Sequence, residues 1–310
     1  MSAHAAIFPG QGAQLVGMGK DVAAQYPGAA ETFAQADDVL GFKLSELCFE
    51  GPADRLNGTD IQQPAIFTTS VAILRAAVAC GTLTPNQFAA MGGLSLGEYT
   101  ALHLAGALSF EDALKVVHRR GTLMQEACKR SPGGMVSLMG MEEDTVLALC
   151  ERVAFAGRVA PANFNCPGQI VISGDKAACD EAAKLAEEYD GKAIPLDVAG
   201  AFHSELMRSA AEGLRPTLES CALSAPRMRV VANVDGEYHR DPVSIRESLY
   251  RQVVNPVRWQ ACVQRLIADG CETFWEIGPN RVLSGLMRKI DRKVKVINLS
   301  SADRLAAAKE

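Results

Sequence analysis

Gly93-Leu94-Ser95-Leu96-Gly97 follows the apolar run Phe88 to Met91 and opens a helix-compatible run, Leu96 to Leu108. A strand that turns sharply into a helix at a serine is what a nucleophile elbow requires. Small flanking residues let the chain pass close to its neighbours, and the turn pushes the serine hydroxyl outward. Ser95 is therefore the candidate nucleophile. The same turn puts the backbone N–H of Leu96 at a helix N-terminus, aimed at the place where an oxyanion would form. Five residues of this kind also occur as an ordinary turn, so the reading depends on what the rest of the chain supplies.

Working outward, a short apolar strand, Ala5 to Phe8, runs into the glycine turn Pro9-Gly10-Gln11-Gly12-Ala13-Gln14 and then a long helical stretch. Helical patterns at Pro27 to Leu40, Gln63 to Cys80 and Phe110 to about Lys129 surround the elbow, which gives α/β alternation. From Ser131 to about Asp197 the pattern changes. Strand (Gly134 to Gly140), helix (Glu142 to Phe155), two strands (Ala160 to Asn165, Gln169 to Ser173), helix (Lys176 to Tyr189) and strand (Lys192 to Leu196) make the βαββαβ order of a ferredoxin-like unit. Residues 131–197 are thus expected to be an inserted small domain, with residues 1–130 and 198–310 forming the parent α/β domain. The parent resumes with helix (Glu205 to Ser220), strand (Met228 to Val234), helix (Val257 to Ala268), strand (Thr273 to Ile277), helix (Arg281 to Ile290) and strand (Lys293 to Leu299). Only the last few residues look unstructured.

With 310 residues, 48% of them hydrophobic and 22% charged, the chain is long enough for a sizeable core. Its 31 basic and 36 acidic residues give a formal charge of −5, which removes the electrostatic case for nucleic acid. No apolar run reaches the roughly 18 to 20 residues that span a bilayer, and the start MSAHAAIFPGQG lacks the parts of a signal peptide, so a cytoplasmic protein is expected. Cys48, Cys80, Cys128, Cys150, Cys166, Cys179, Cys221, Cys262 and Cys271 contain no CxxC pair, which fits buried thiols in a reducing compartment better than disulfides or a metal site.

A serine hydroxyl needs a base at neutral pH. Of five histidines, His4 lies at the N-terminus, where fraying is expected. His103 and His118 lie within helices, and His239 lies in the polar loop Glu237-Tyr238-His239-Arg240-Asp241. His203, in Gly200-Ala201-Phe202-His203-Ser204, stands where the insertion returns the chain to the parent sheet, a common cleft position. Gly10-Gln11-Gly12 begins a dinucleotide fingerprint, but Leu15 occupies the third glycine position and no acidic residue ends a second strand. A strand-end loop can instead present a backbone N–H, and that of Gln11 would face Leu96 N–H as the second oxyanion donor. Arg120, on the helix after the elbow helix, could aim a guanidinium into the same cleft and meet a carboxylate in a planar two-point pair.

FPGQGAQ (Phe8 to Gln14), QQPA (Gln62 to Ala65), GLSLGEY (Gly93 to Tyr99), HRRGTLMQ (His118 to Gln125), NFNCPGQIVISG (Asn163 to Gly174), GAFHS (Gly200 to Ser204), ANVDG (Ala232 to Gly236) and EIGPNRVLSGL (Glu276 to Leu286) together resemble malonyl-CoA:acyl carrier protein transacylases, collinearly over nearly the whole chain. The resemblance implies an α/β-hydrolase-like domain with parallel sheet and a ferredoxin-like insertion. It implies Ser95 as the acylated serine, His203 as its base without a carboxylate, and the N–H groups of Gln11 and Leu96 as the oxyanion hole. Arg120 would hold the malonyl carboxylate, with Gln63, Met124 and Asn165 near it and Phe202 crowding an α-methyl branch. A backbone carbonyl near Asn280 or Arg281 would orient His203. Malonyl-CoA and a phosphopantetheinylated acyl carrier protein are the implied partners, with no cofactor and no metal, and a monomer is the expected state. Lys115, Arg119, Lys129 and Arg130 are candidates for a basic patch facing an acidic carrier.

One position departs from the family: Leu94 stands where histidine usually precedes the nucleophile. It is not the base, yet it belongs to the pocket, which bears on extender specificity and on the lifetime of the acyl-enzyme. Service to fatty acid or to polyketide synthesis stays open. A thioester hydrolase that edits carrier-bound acyl chains would use the same Ser95 and His203, although an apolar chain offers Arg120 no carboxylate. A non-catalytic docking module would need none of the three.

Overall fold

The computed structural model describes residues 3–309. Strand β1 (Ala3–Phe8) alternates its side chains between two cores: Ala6 and Phe8 enter one apolar cluster, Ala5 and Ile7 another, all fully buried. A strand apolar on both faces belongs in the middle of a covered parallel sheet. It pairs in parallel with β2 (Phe88–Gly93) on one side and with β8 (Cys271–Ile277) on the other. Strands β7 (Arg229–Val230) and β9 (Lys295–Leu299) close the edges, giving the order β7-β2-β1-β8-β9, all parallel.

Helices Pro27–Leu40, Thr59–Ala79 and Phe110–Arg130 pack on one face of this sheet. Trp259–Ala268 and Val282–Ile290 cover the other with Trp259, Val263, Leu266, Leu283 and Met287. The remaining strands form an antiparallel sheet of order β4-β5-β3-β6, from β3 (Gly133–Met139), β4 (Val159–Cys166), β5 (Gln169–Asp175) and β6 (Lys192–Pro195). Helices Glu143–Arg152 and Lys176–Leu185 cover one face of it, over Val136, Leu138, Ile170 and Ile172.

Several expectations are corrected. After the glycine turn no long helix forms: Gly17 and Gly19 take left-handed φ of 95° and 75°, so helix begins only at Lys20 and ends at Gln25. The strand expected over Met228 to Val234 shrinks to the two residues of β7, because the chain beyond turns in toward the elbow, with Val231 bridging Tyr238. His4 does not fray. It lies in β1, and its Nδ1 accepts from Trp275 Nε1 at 3.2 Å. Near the C-terminus Ala302–Ala307 is helical, capped by Ser301, while Glu310 lies outside the described residues. Helices Leu44–Glu50, Ala53–Leu56 and Pro242–Gln252 are not among the elements expected from the hydrophobic pattern.

Candidate active site

Ser95 stands between the end of β2 and the helix Gly97–Leu104, with φ of 51°. Left-handed backbone at a non-glycine residue is strained and persists only where surroundings impose it. They do so here by close approach. A Cβ on Gly97 would lie 2.1 Å from the Phe8 carbonyl oxygen, and one on Gly93 would lie 1.9 Å from the Gly97 carbonyl carbon. Asn233 then pins the turn: its Oδ1 accepts from Ser95 N–H at 2.6 Å and its Nδ2 donates to Gly93 O at 2.8 Å.

Ser95 Oγ is 2.8 Å from His203 Nε2 and 2.9 Å from Arg120 Nη2. The guanidinium is a donor, so the serine proton goes to Nε2, which must be the unprotonated ring nitrogen. Nδ1–H then donates to the backbone carbonyl of Gln252 at 2.8 Å. This corrects the expected orienter. The Asn280 carbonyl is already occupied, accepting from Asn298 Nδ2 at 2.8 Å, and it helps hold the β9 side of the sheet rather than the imidazole. Burial, and after it the positive charge of Arg120, pushes the pKa of His203 down to about 4. The imidazole is thus a neutral acceptor at physiological pH, as a general base must be.

Arg120 is 2% exposed, at the middle of Phe110–Arg130. Nη1 donates to Gln63 Oε1 at 2.7 Å, and Nη2 donates to Gln252 Oε1 at 3.0 Å as well as to Ser95. Among the described residues its Nε is buried without an acceptor and the group bonds no carboxylate, its partners being Gln63, Ser95 and Gln252. Burial lowers the pKa of Arg120, yet guanidinium remains charged in proteins. A desolvated cation with only neutral partners is matched to an anionic ligand.

A cavity of about 210 Å³ opens over the serine, lined by Gln11, Leu94, Ser95, Met124, Asn165, Phe202 and His203 from the expected set. Asn163, Gln169, Met135, Val171, Leu196, Val198, Val282 and Leu286 complete it, so the small sheet forms one wall. Gln63 and Arg120 lie beneath the lining residues on the parent-domain side, Arg120 against Ser95 Oγ and Gln63 Nε2 reaching Met124 Sδ at 3.5 Å. Leu96 is buried, and neither its N–H nor that of Gln11 donates to another group among the described residues.

Four residues of the site have no role assigned from the sequence: Gln252, Glu98, Asn233 and His239. Gln252 bonds Arg120 through Oε1, and through Nε2 it bonds Ser95 O at 3.0 Å and Glu98 Oε2 at 2.8 Å. Glu98 is fully buried and also accepts from Asn233 N–H and His239 Nε2, so His239 of the polar loop has its imidazole inside. The signal for Gln252's helix was present in Asp241-Pro242-Val243-Ser244, a capping box with proline at the first helical position. The nine thiols are free, seven of them buried; burial pushes Cys48 and Cys150 up to about 12, which leaves them protonated.

Residues 6–303 match the model of the acyl transferase domain family. The chain belongs to that family, among the malonyl CoA-acyl carrier protein transacylases. It is 44% identical to the malonyl CoA-acyl carrier protein transacylase of Bacillus subtilis over 99% of this chain and 96% of the relative, and 41% identical to that of Escherichia coli K12 over all of both. The crystal structure of the Clostridium perfringens transacylase superposes with a TM-score of 0.94 at 39% identity, covering 99% and 96% of the two chains. A complex of a type II PKS acyl-carrier protein with its malonyl-transacylase gives the same TM-score, 0.94, at 39% identity and 99% coverage of each chain. The enzyme is an acyltransferase, and no helix among the described residues is long and apolar enough to cross a membrane.

Proposed function

We propose that this chain moves a malonyl group from malonyl-CoA to the phosphopantetheine thiol of an acyl carrier protein through a malonyl ester on Ser95. The observation that carries this reading is the placement of Ser95 Oγ between a neutral imidazole and a buried guanidinium that has no carboxylate partner among the described residues. His203 Nε2 takes the proton as Oγ attacks the thioester carbon. The N–H groups of Gln11 and Leu96 receive the oxyanion; the C–S bond breaks and the CoA sulfur leaves with the proton from His203. The carrier thiol, deprotonated by His203, then attacks the serine ester and reverses the sequence. Arg120, with Gln63 beside it, holds the malonyl carboxylate, while Met124, Asn165 and Leu94 line the acyl site. Phe202 beside His203 crowds an α-methyl branch, a discrimination worth about 1–3 kcal/mol and therefore leaky.

The finer architecture belongs to the same reading. Residues 131–197 are a ferredoxin-like insertion, supported by their βαββαβ order and the β4-β5-β3-β6 sheet, in an α/β-hydrolase-like domain of residues 1–130 and 198–310. The protein works as a cytoplasmic monomer without cofactor or metal. Lys115, Arg119, Lys129 and Arg130, all exposed on the helix that carries Arg120, are the surface offered to an acidic carrier.

Intact mass after brief exposure to malonyl-CoA, acetyl-CoA and methylmalonyl-CoA tests the reading. A malonyl adduct absent from Ser95→Ala and discharged onto carrier protein is expected, and Arg120→Ala should lose malonyl transfer while keeping acetyl transfer. Release of free malonate or fatty acid with no transfer would instead make the protein an editing hydrolase. Malonyl preference unchanged in Arg120→Ala would remove the role given to the guanidinium.

A further inference from the structure

Glu98 is a carboxylate with no solvent exposure, in the first turn of the helix that follows the nucleophile. Such a group is costly to bury unless its lone pairs are filled. Here they are: Oε2 accepts from Asn233 N–H at 3.0 Å and from Gln252 Nε2 at 2.8 Å, and Oε1 accepts from His239 Nε2 at 2.8 Å. The mechanism uses none of these bonds directly.

The two ends of the Gln252 amide have nearly the same shape and opposite hydrogen-bonding character. Glu98 Oε2 and Ser95 O, with Asn233 Oδ1 farther off at 3.5 Å, stand on one side and hold the NH2 there, which leaves Oε1 for Arg120 Nη2. A reversed amide would present N–H to N–H and remove one of the two carbonyls that span the terminal nitrogens of the guanidinium. Of these acceptors on the NH2 side, the carboxylate is the nearest and the strongest. Glu98 also stands one amide away from Arg120 and does not pair with it. A direct ion pair would occupy the guanidinium and compete with an incoming carboxylate; an intervening amide orients it and leaves it open.

We propose that Glu98 is a positioning residue for acyl-group selection, acting through Gln252 to set the orientation of Arg120. The proposal rests on the reading of Arg120 as the group that receives the acyl carboxylate. It predicts that acceptor geometry at position 98, rather than bulk, controls preference for a carboxylated acyl group over acetyl. An amide at position 98 preserves that geometry, with its oxygen toward Gln252 and its NH2 toward His239, whose ring can accept in the other tautomer.

The test is kcat/KM for malonyl-CoA and acetyl-CoA, read as their ratio, in wild type, Glu98→Met, Glu98→Gln and Gln252→Met, with Arg120→Ala alongside. Loss of a charged hydrogen bond predicts a fall of about tenfold in the ratio for Glu98→Met, with Glu98→Gln restored toward wild type. Gln252→Met keeps the backbone carbonyl that His203 needs and should show the same fall, so it carries the test if Glu98→Met does not fold. A double Glu98→Met/Gln252→Met variant should be no less selective than either single, since both act on one path. Parallel loss of malonyl and acetyl activity, an unchanged ratio, or a Glu98→Gln variant as unselective as Glu98→Met would overturn the proposal. If instead wild type shows no malonyl preference, or Arg120→Ala leaves it intact, the proposed function fails first and the Glu98 variants are not the cause.

Discussion

At the scale of single residues, the chemistry is set by how one charge acts on one imidazole. His203 is held near a pKa of about 4, first by burial and then by Arg120, whereas an ordinary imidazole has 6.5. The base works only when neutral, so the acidic limb of kcat/KM for serine acylation should fall near pH 4 rather than near 6.5. Taking away the guanidinium removes a lowering influence, and Arg120→Ala should move that limb to higher pH. A carboxylated substrate neutralises the same charge on binding, so the limb of kcat should lie above that of kcat/KM. A rapid-quench pH series of malonyl-serine formation measures both in the wild type, and a series of acetyl-serine formation, which Arg120→Ala should retain, compares the variant with the wild type; an acetylation limb that stays fixed in Arg120→Ala would mean the charge does not reach the ring. The same depression acts on stability. Between pH 6.5 and about 4 the unfolded chain takes up a proton at His203 that the folded chain refuses, so this site erodes folded stability as pH falls through that window.

At the scale of elements, the elbow depends on strand and helix passing within a backbone's width of each other. Gly97→Ala would put a methyl 2.1 Å from the Phe8 carbonyl oxygen, and neither β1 nor the elbow helix can yield without opening the sheet. The expected cost is about 3 kcal/mol or more, read as a lower urea midpoint, whereas Ala at half-buried Gly28 in the first turn of Pro27–Leu40, whose Cβ would meet nothing, should leave the midpoint unmoved or raise it. These elements also explain what could be read in advance. Pro27–Leu40 and Phe110–Arg130 are amphipathic and proclaim their ends by proline and by a serine cap, so their bounds were legible almost to the residue. Pro242–Gln252 buries Ile245 and Leu249 together with Ser248 and Gln252; half its inner face is polar, with Gln252 turned to Ser95 and Arg120 and Ser248 toward a cavity beside His239, and a hydrophobic period cannot reveal such a helix. That hid Gln252, and with it the true orienter of His203. Glu98 and Asn233 were visible as letters of GLSLGEY and ANVDG, but they meet across 135 positions of chain, a relation that only the tertiary structure supplies.

At the scale of the whole molecule, the cleft has its floor in the parallel sheet and one wall in the antiparallel one, so its shape depends on how firmly the two are joined. The join is backbone hydrogen bonding as well as packing. Phe164 N–H donates to Val257 O at 2.9 Å and Val257 N–H donates to Ala162 O at 2.8 Å, tying β4 to the segment ahead of Trp259–Ala268. The next residue, Arg258, donates its N–H to Asn233 O at 2.8 Å, and Asn233 pins the elbow. The small sheet that carries Asn163 and Asn165 is thus held by the same few residues that hold Ser95. Loss of one should release the other, and unfolding should be a single cooperative transition despite two sheets and three apolar clusters. The chain offers two probes of different reach. Both of its tryptophans, Trp259 and Trp275, lie outside the small sheet, whereas far-UV circular dichroism sees both sheets. Urea curves from fluorescence and from circular dichroism should superimpose in midpoint and slope. A circular dichroism loss that precedes the fluorescence change would show the small sheet melting by itself, and the wall of the cleft would then be a mobile part rather than a fixed one.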